Sequence, residues 1–213
     1  RAADVADEFP TPDQRVLLKS GEQALLADGD RLTVVAPDRP GLFSRVAGVL
    51  SLHGLGILDA AVGGEDGWAL EVFRVQSSFG PTFSWDKVLA DLEAALAGRL
   101  AIRARLADRV RTYGVRRGPP VADEGEPEVR IDLEASPVAT VVEVHARDGL
   151  GILYRITGAL ADLDLDIVSA KVQTLGADVV DSFYVRSSGG AKPTDPAVLA
   201  EVERALLHAL DSH

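Results

Sequence analysis

Cysteine is absent from the chain, and so is methionine. Without thiols neither a disulfide nor a thiolate metal site can form, which suits a reducing cytoplasm. Without methionine, and with Arg1 in first place, the chain reads as a piece cut from a longer polypeptide. Positive charge is scarce: 22 Lys and Arg face 33 Asp and Glu, and the net charge of -11 argues against general nucleic-acid binding. No apolar run approaches the ~18 residues that cross a bilayer, and no signal-peptide pattern opens the chain, so no membrane partner is expected. What is present in quantity is hydrophobic residue, 46% of the total, enough over 213 residues for one or two buried cores.

The strongest pattern is an internal repeat. Val34-Val-Ala-Pro-Asp38-Arg39-Pro40-Gly41-Leu42 and the helix-like run to Leu50 recur, 110 residues on, as Val144-His-Ala-Arg-Asp148-Gly149-Leu150-Gly151-Ile152 and the run to Leu160. The same offset pairs Leu55 with Leu165, Ile57 with Ile167, Ala60 with Ala170, Val62 with Val172, Phe73 with Phe183, Ser78 with Ser188 and Gly80 with Gly190. Two copies of one domain follow.

Each copy alternates strands and helices. Leu32–Ala36 is β-rich, and Leu42, Val46, Val49 and Leu50 then recur at helical spacing. Leu55–Val62 and Trp68–Gln76 read as strands joined by a glycine-rich hairpin at Gly63-Gly64-Glu65-Asp66-Gly67. A second helix begins near Ser84, whose hydroxyl is expected to cap it, and its counterpart opens at Thr194-Asp195-Pro196. The unit is βαββα, one strand short of a ferredoxin-like domain. Short β-prone segments ahead of each copy, Glu22–Ala27 and Glu128–Leu133, supply the missing strand if they fold back antiparallel on the first core strand. The expected fold is therefore α+β: two ferredoxin-like domains, each an antiparallel sheet with two helices, permuted so that the edge strand comes first. The weaker alternative takes Leu100–Leu106 as the fourth strand of copy one.

The expected layout is a connector over 1–20 with a short helix at Thr11–Lys19, a first domain over 21–114, a linker over 115–127 and a second domain over 128–213. Gly118-Pro-Pro and Asp123-Glu-Gly-Glu-Pro mark the linker as exposed. Arg99–Arg117 holds seven arginines against one acid, Asp108. The ordinary reading of such a run is a solvated helix face over the sheet, and the sharper one a docking surface for an acidic partner.

Catalytic chemistry is hard to find. No phosphate-cradling glycine loop, no His-Asp pair and no cluster at metal-ligand spacing stands out, and His53, His145, His208 and His213 are scattered. Asp162, Asp164 and Asp166 alternate without the residues that complete a calcium loop. No catalytic residue, no metal site and no cofactor is assigned to this stretch of chain. What remains is the repeated turn. Gly41 and Gly151 can bring bare backbone close to a ligand, and the helix that starts there offers free N–H groups to a carboxylate. Asp38 or Asp148 either caps that helix or attracts an ammonium group; both readings stay open on the pattern alone.

These residues resemble the ACT domain, a small ferredoxin-like regulatory module, and the resemblance runs from about residue 15 to 213. Glu128-Val-Arg-Ile-Asp-Leu-Glu-Ala-Ser136, Thr140-Val-Val-Glu-Val and Asp181-Ser-Phe-Tyr-Val are similar to the C-terminal tandem ACT region of PII-protein uridylyltransferase/uridylyl-removing enzymes of the actinobacterial type. The resemblance implies a cytoplasmic glutamine-sensing region whose parent carries a nucleotidyltransferase domain and a metal-dependent hydrolase domain using Mg and a nucleoside triphosphate. It implies L-glutamine, those catalytic domains, the PII signalling protein and a second copy of the chain as partners. It implies a ligand held by Asp38, Arg39, Pro40, Gly41 and Leu42, by Asp148, Gly149, Leu150, Gly151 and Ile152, and by the start of the following strand, where Asp166 stands in copy two and Gly56 in copy one. The two sites are expected to be unequal. An ACT sensor of another amino acid in a different parent, and a ligand-free dimerisation or docking module, are the alternatives.

Overall fold

The computed structural model describes residues 9–77, 83–114, 126–175 and 178–211. The repeat positions Ser78 and Gly80, most of the 115–127 linker, and Arg116 and Arg117 lie outside the described residues. Among the described residues the elements run α1 (Pro12–Ser20), β1 (Ala24–Asp28), β2 (Arg31–Pro37), α2 (Leu42–Leu52), β3 (Leu55–Glu65), β4 (Trp68–Ser77), α3 (Trp85–Leu96) and α4 (Ile102–Gly114). The second half adds β5 (Glu128–Asp132), β6 (Thr140–Arg147), α5 (Ile152–Asp162), β7 (Leu165–Leu175), β8 (Asp178–Ser187) and α6 (Pro196–Asp211).

All eight strands join one antiparallel sheet in the order β1-β2-β4-β3-β7-β8-β6-β5. Each half is a permuted ferredoxin-like unit: β1 and β5 fold back on β2 and β6, as the β-prone segments before each repeat require. In copy one the tight turn at Gly29 makes this possible, with Asp28 opposite Arg31, and the Trp85 indole N–H donates to the Gly29 carbonyl. The alternative strand at 100–106 is overturned, because Ile102 begins a helix and β1 already occupies the edge.

The two halves meet at β3 and β7, where Ala60 pairs with its own repeat equivalent Ala170, flanked by Asp59 opposite Lys171 and Ala61 opposite Ser169. That register places a pseudo-twofold axis at the alanine pair, where a small side chain lets the helices above close in. On that face α2 packs on α5. The Ser44 hydroxyl donates to the carbonyl of its equivalent, Tyr154, at 3.1 Å. Gly48 is required there: a Cβ would lie 2.5 Å from Ile102 Cγ2 and 2.8 Å from the Tyr154 ring.

The main core lies between the sheet and the helix layer, and its strand residues alternate with the pleat: Leu32, Val34 and Ala36 on β2, Ala69, Phe73 and Val75 on β4. In β3 and β7 the alternation slips by one at matched bulges, Leu58 and Val168, so that Leu55 and Ile57 share a face with Ala60 rather than Asp59. The opposite face is covered over copy one by α1, whose Leu18 packs on Val35, Ala61, Leu70 and Val72. The Thr11–Lys19 helix is thus built into the first half, its start fixed by a reciprocal Thr11/Gln14 capping box.

Two local expectations fail. Ser84 does precede α3, but its side chain makes no capping hydrogen bond. The arginine-rich α4 does not cover the sheet: Ile102 and Leu106 seat it on α2 and the start of α5, and Arg103, Arg105 and Arg111 face solvent.

Candidate ligand-binding site between the two halves

The repeated turns start from extended strands and end in left-handed glycines, Gly41 at φ 77° and Gly151 at φ 75°, a conformation that a Cβ strains. Each glycine is the N-cap of its helix, and neither α2 nor α5 has a side-chain capping bond. Asp38 and Asp148 therefore do not serve as caps, which removes the structural explanation for them and leaves the helix N-termini open to an anion. The Asp38 backbone N–H instead donates to the Gly67 carbonyl at 2.9 Å, tying the turn to the β3–β4 hairpin. That hairpin is tight, with Asp66 and Gly67 both at positive φ.

Around this anchor a cleft of about 380 Å³ opens between the halves. Copy one contributes Asp38 and the hairpin from Gly64 to Trp68; copy two contributes Asp166, the bulged Val168 and Arg186 to Ser188. The volume falls in the ~300–1,000 Å³ range of small-molecule sites. The two carboxylates come from turns 128 positions apart in sequence, and they act on each other. Burial raises the pKa of Asp166, and the charges of Asp38 and Asp164 raise it further. A cation between them would relieve that repulsion. Arg186, whose Nε donates to the Val138 carbonyl at 2.9 Å, puts a fixed positive charge in the same cleft.

Of the other residues proposed from sequence, Arg39, Pro40, Gly41 and Leu42 belong to the same turn without lining the cleft, Gly41 resting near Ala161. Asp148, Gly149, Leu150, Gly151 and Ile152 occupy the pseudo-symmetric turn. There the copies part company, because Leu106 of α4 packs on Gly151, at 3.3 Å from where a Cβ would be, and the strand position matching Asp166 is Gly56.

Sequence reasoning missed three things. His53 does pair with an acid, Asp91, at 2.8 Å, a contact made by folding residues 38 positions apart; it ties the end of α2 to α3. Arg186 carries no motif. Glu71 on β4 and Asp181 on β8 are buried carboxyls at equivalent repeat positions, hidden in sequence among ordinary acids. Among the described residues no group of three or more His, Cys, Asp or Glu is arranged to hold a metal, and no helix is long and apolar enough to cross a membrane.

A βαββα unit with an uncapped glycine turn, doubled side by side, is the pattern against which the comparisons fall. Residues 135–211 match the family model described as the ACR family N-terminal ACT domain. The chain carries an ACT domain. Since the first half repeats the second in sequence and topology, the molecule is an ACT pair on one continuous sheet. Over 186 residues it is 42% identical to a bifunctional uridylyltransferase/uridylyl-removing enzyme of Gluconobacter oxydans, covering 85% of this chain and 19% of that one. The enzymes of the same description from Azospirillum brasilense and Streptomyces coelicolor are 40% and 38% identical, over 84% and 85% of this chain and 20% and 22% of theirs. The chain thus spans about a fifth of the length of these relatives.

Proposed function

We propose that this ACT pair is the glutamine-sensing regulatory region of a bifunctional PII nucleotidylyltransferase and nucleotidylyl-removing enzyme, placed toward the C-terminal end of the parent. The observation that carries the reading is the cleft in which Asp38 of one half faces Asp166 of the other. A free amino acid is a zwitterion, and the cleft offers both complements: carboxylates for the ammonium group and Arg186 for the carboxylate. Because the site is shared, its occupancy bears on how the two halves sit together. Ligand that binds one arrangement better shifts the population toward it, and the catalytic domains of the parent, which would use Mg and a nucleoside triphosphate, read that shift. The parent's action on the PII protein belongs to those domains.

The pseudo-symmetric turn is the weaker site, since Gly56 brings no carboxylate and Leu106 sits on Gly151. One ligand per chain is therefore expected at moderate concentration. Calorimetry with L-glutamine on the wild type, Asp38→Asn, Asp166→Asn, Asp148→Asn and His53→Ala tests this. Losing one charge-assisted hydrogen bond is worth ~1.5–3 kcal/mol, so the first two variants should bind about tenfold or more weakly. Asp148→Asn should weaken a second, poorer phase, and His53→Ala should change little. Absence of glutamine heat at millimolar ligand would turn the reading to a docking module, and binding of a different amino acid would keep the sensor and change its parent.

A further inference from the structure

Each half of the molecule buries one carboxyl within its sheet, on β4 and on β8. Glu71 and Asp181 are repeat equivalents, 3% and 1% exposed, and among the described residues Glu71 Oε2 and Asp181 Oδ1 have no hydrogen-bond partner. Their surroundings are apolar. Glu71 stands opposite Val34 on β2 and Val62 on β3, on the helix-facing side of the sheet. On that face its neighbours along the same strands are Ala36, Ala60, Ala69 and Phe73, with the Phe43 ring of α2 tilted against that of Phe73. Asp181 stands opposite Val144 and Val172.

A carboxylate in such a place, with no cation beside it, is too costly to keep; the group holds its proton or acquires a positive neighbour. The charged residues of the elements around Glu71 are Arg31 at the start of β2, Asp38 and Arg39 on the turn, Arg45 on α2, and Glu65 and Asp66 at the hairpin. Arg74 and Asp59 bond to each other on the opposite face of the sheet. Arg45 points into the groove beside α4. Asp38 is the one whose charge acts on Glu71, in the direction that retains the proton; burial is the larger cause and brings the pKa to about 8. In copy two the charged neighbours are Arg147 and Asp148 on the turn, Arg155 on α5, Lys171 on the far face of β7 and Asp178 at the start of β8. Asp148 is again the one that acts, after burial, bringing Asp181 to about 7.

Asp38 has two faces, then: one to the cleft and one, through the protein, to Glu71. We propose that Glu71 is a proton-exchanging part of the ligand site, protonated in the free chain and releasing its proton to solvent when the positive group of the ligand settles beside Asp38. A cation at Asp38 cancels the charge that kept the Glu71 proton in place and adds an attraction for the carboxylate form. Binding of an ammonium-bearing ligand is thereby linked to proton release and tightens as pH rises from 6 to 8. The inference rests on the amino-acid reading of the cleft and adds to it the chemistry by which a buried acid takes part.

The test is calorimetry of L-glutamine on the whole chain at pH 7.5, in phosphate and in Tris, buffers of very different ionisation enthalpy. The wild type should show buffer-dependent heat equivalent to release of a substantial fraction of one proton. Glu71→Gln, a near-isostere of the protonated acid, should bind with buffer-independent heat. Asp38→Asn, at the surface and safe for folding, should bind more weakly and release less, while Asp181→Asn should release as the wild type does. Equal wild-type heats in the two buffers with binding intact, or an Asp38→Asn chain that releases as many protons as the wild type, would overturn the proposal alone. No binding of glutamine at all would overturn it together with the sensor reading.

Discussion

At the scale of single residues the two buried carboxyls set the pH response. Burial raises Glu71 to about 8 and Asp181 to about 7, while in the unfolded chain both titrate near their ordinary values of 4.5 and 3.8. Above those ordinary values the unfolded chain has given up protons that the folded chain still holds, so stability falls with rising pH. Their favourable contribution is complete below about pH 4 and is lost progressively as the pH climbs through 7 and 8. The expected outcome is that Glu71→Gln and Asp181→Asn, which keep a neutral group at all pH values, gain on the wild type by several degrees of Tm at pH 9 and by little at pH 5. Thermal melts at the two pH values check it; parallel curves for variant and wild type would show that neither carboxyl is held neutral. His53 teaches the complementary lesson. Its pairing with Asp91 closes a contact between two helices and involves no nucleophile, so it is structural.

At the scale of elements, the edge strands and α4 distinguish this pair from a plain doubled fold. β1 covers one edge of β2 through five registered pairs, Ala24 opposite Val35 to Asp28 opposite Arg31. Deleting residues 1–28 therefore uncovers a row of backbone N–H and C=O groups on β2, together with the apolar face that α1 shields at Val35, Leu70 and Val72. The truncated chain should aggregate or swap strands at concentrations where the full chain stays monodisperse, as light scattering would record. An unchanged, equally stable truncation would contradict the role of β1. The position of α4 follows from two side chains, Ile102 against Gly48 and Leu106 against Gly151. That contact is why the two repeated turns, so alike in sequence, are not alike in surroundings.

At the scale of the whole molecule, the two halves form a shared sheet with a shared cleft, and among the described residues no group of three or more His, Cys, Asp or Glu is arranged to hold a metal. Purified chain should neither transfer nor remove a nucleotidyl group on PII protein; turnover above that of a mock preparation would refute this. The sequence by itself determined the repeat, the βαββα order, the edge strands and the glycine turns, because these rest on local causes: periodicity 2 or 3.6, positive φ at Gly41 and Gly151, two-residue hairpins. Asp38 was legible as a candidate for the same reason, sitting in the repeated turn, whereas Asp166 was a candidate only through the resemblance to the ACT domain. Only the tertiary structure decided that Asp38 faces Asp166 across the halves, and that Glu71 and Asp181 are buried, each with one oxygen lacking a hydrogen-bond partner among the described residues. Those outcomes depend on the Ala60–Ala170 register, the matched bulges and the seating of α4, contacts between residues scores of positions apart. Burial and electrostatic coupling arise from what surrounds a side chain in space, and no local pattern around an acid encodes its distant neighbours.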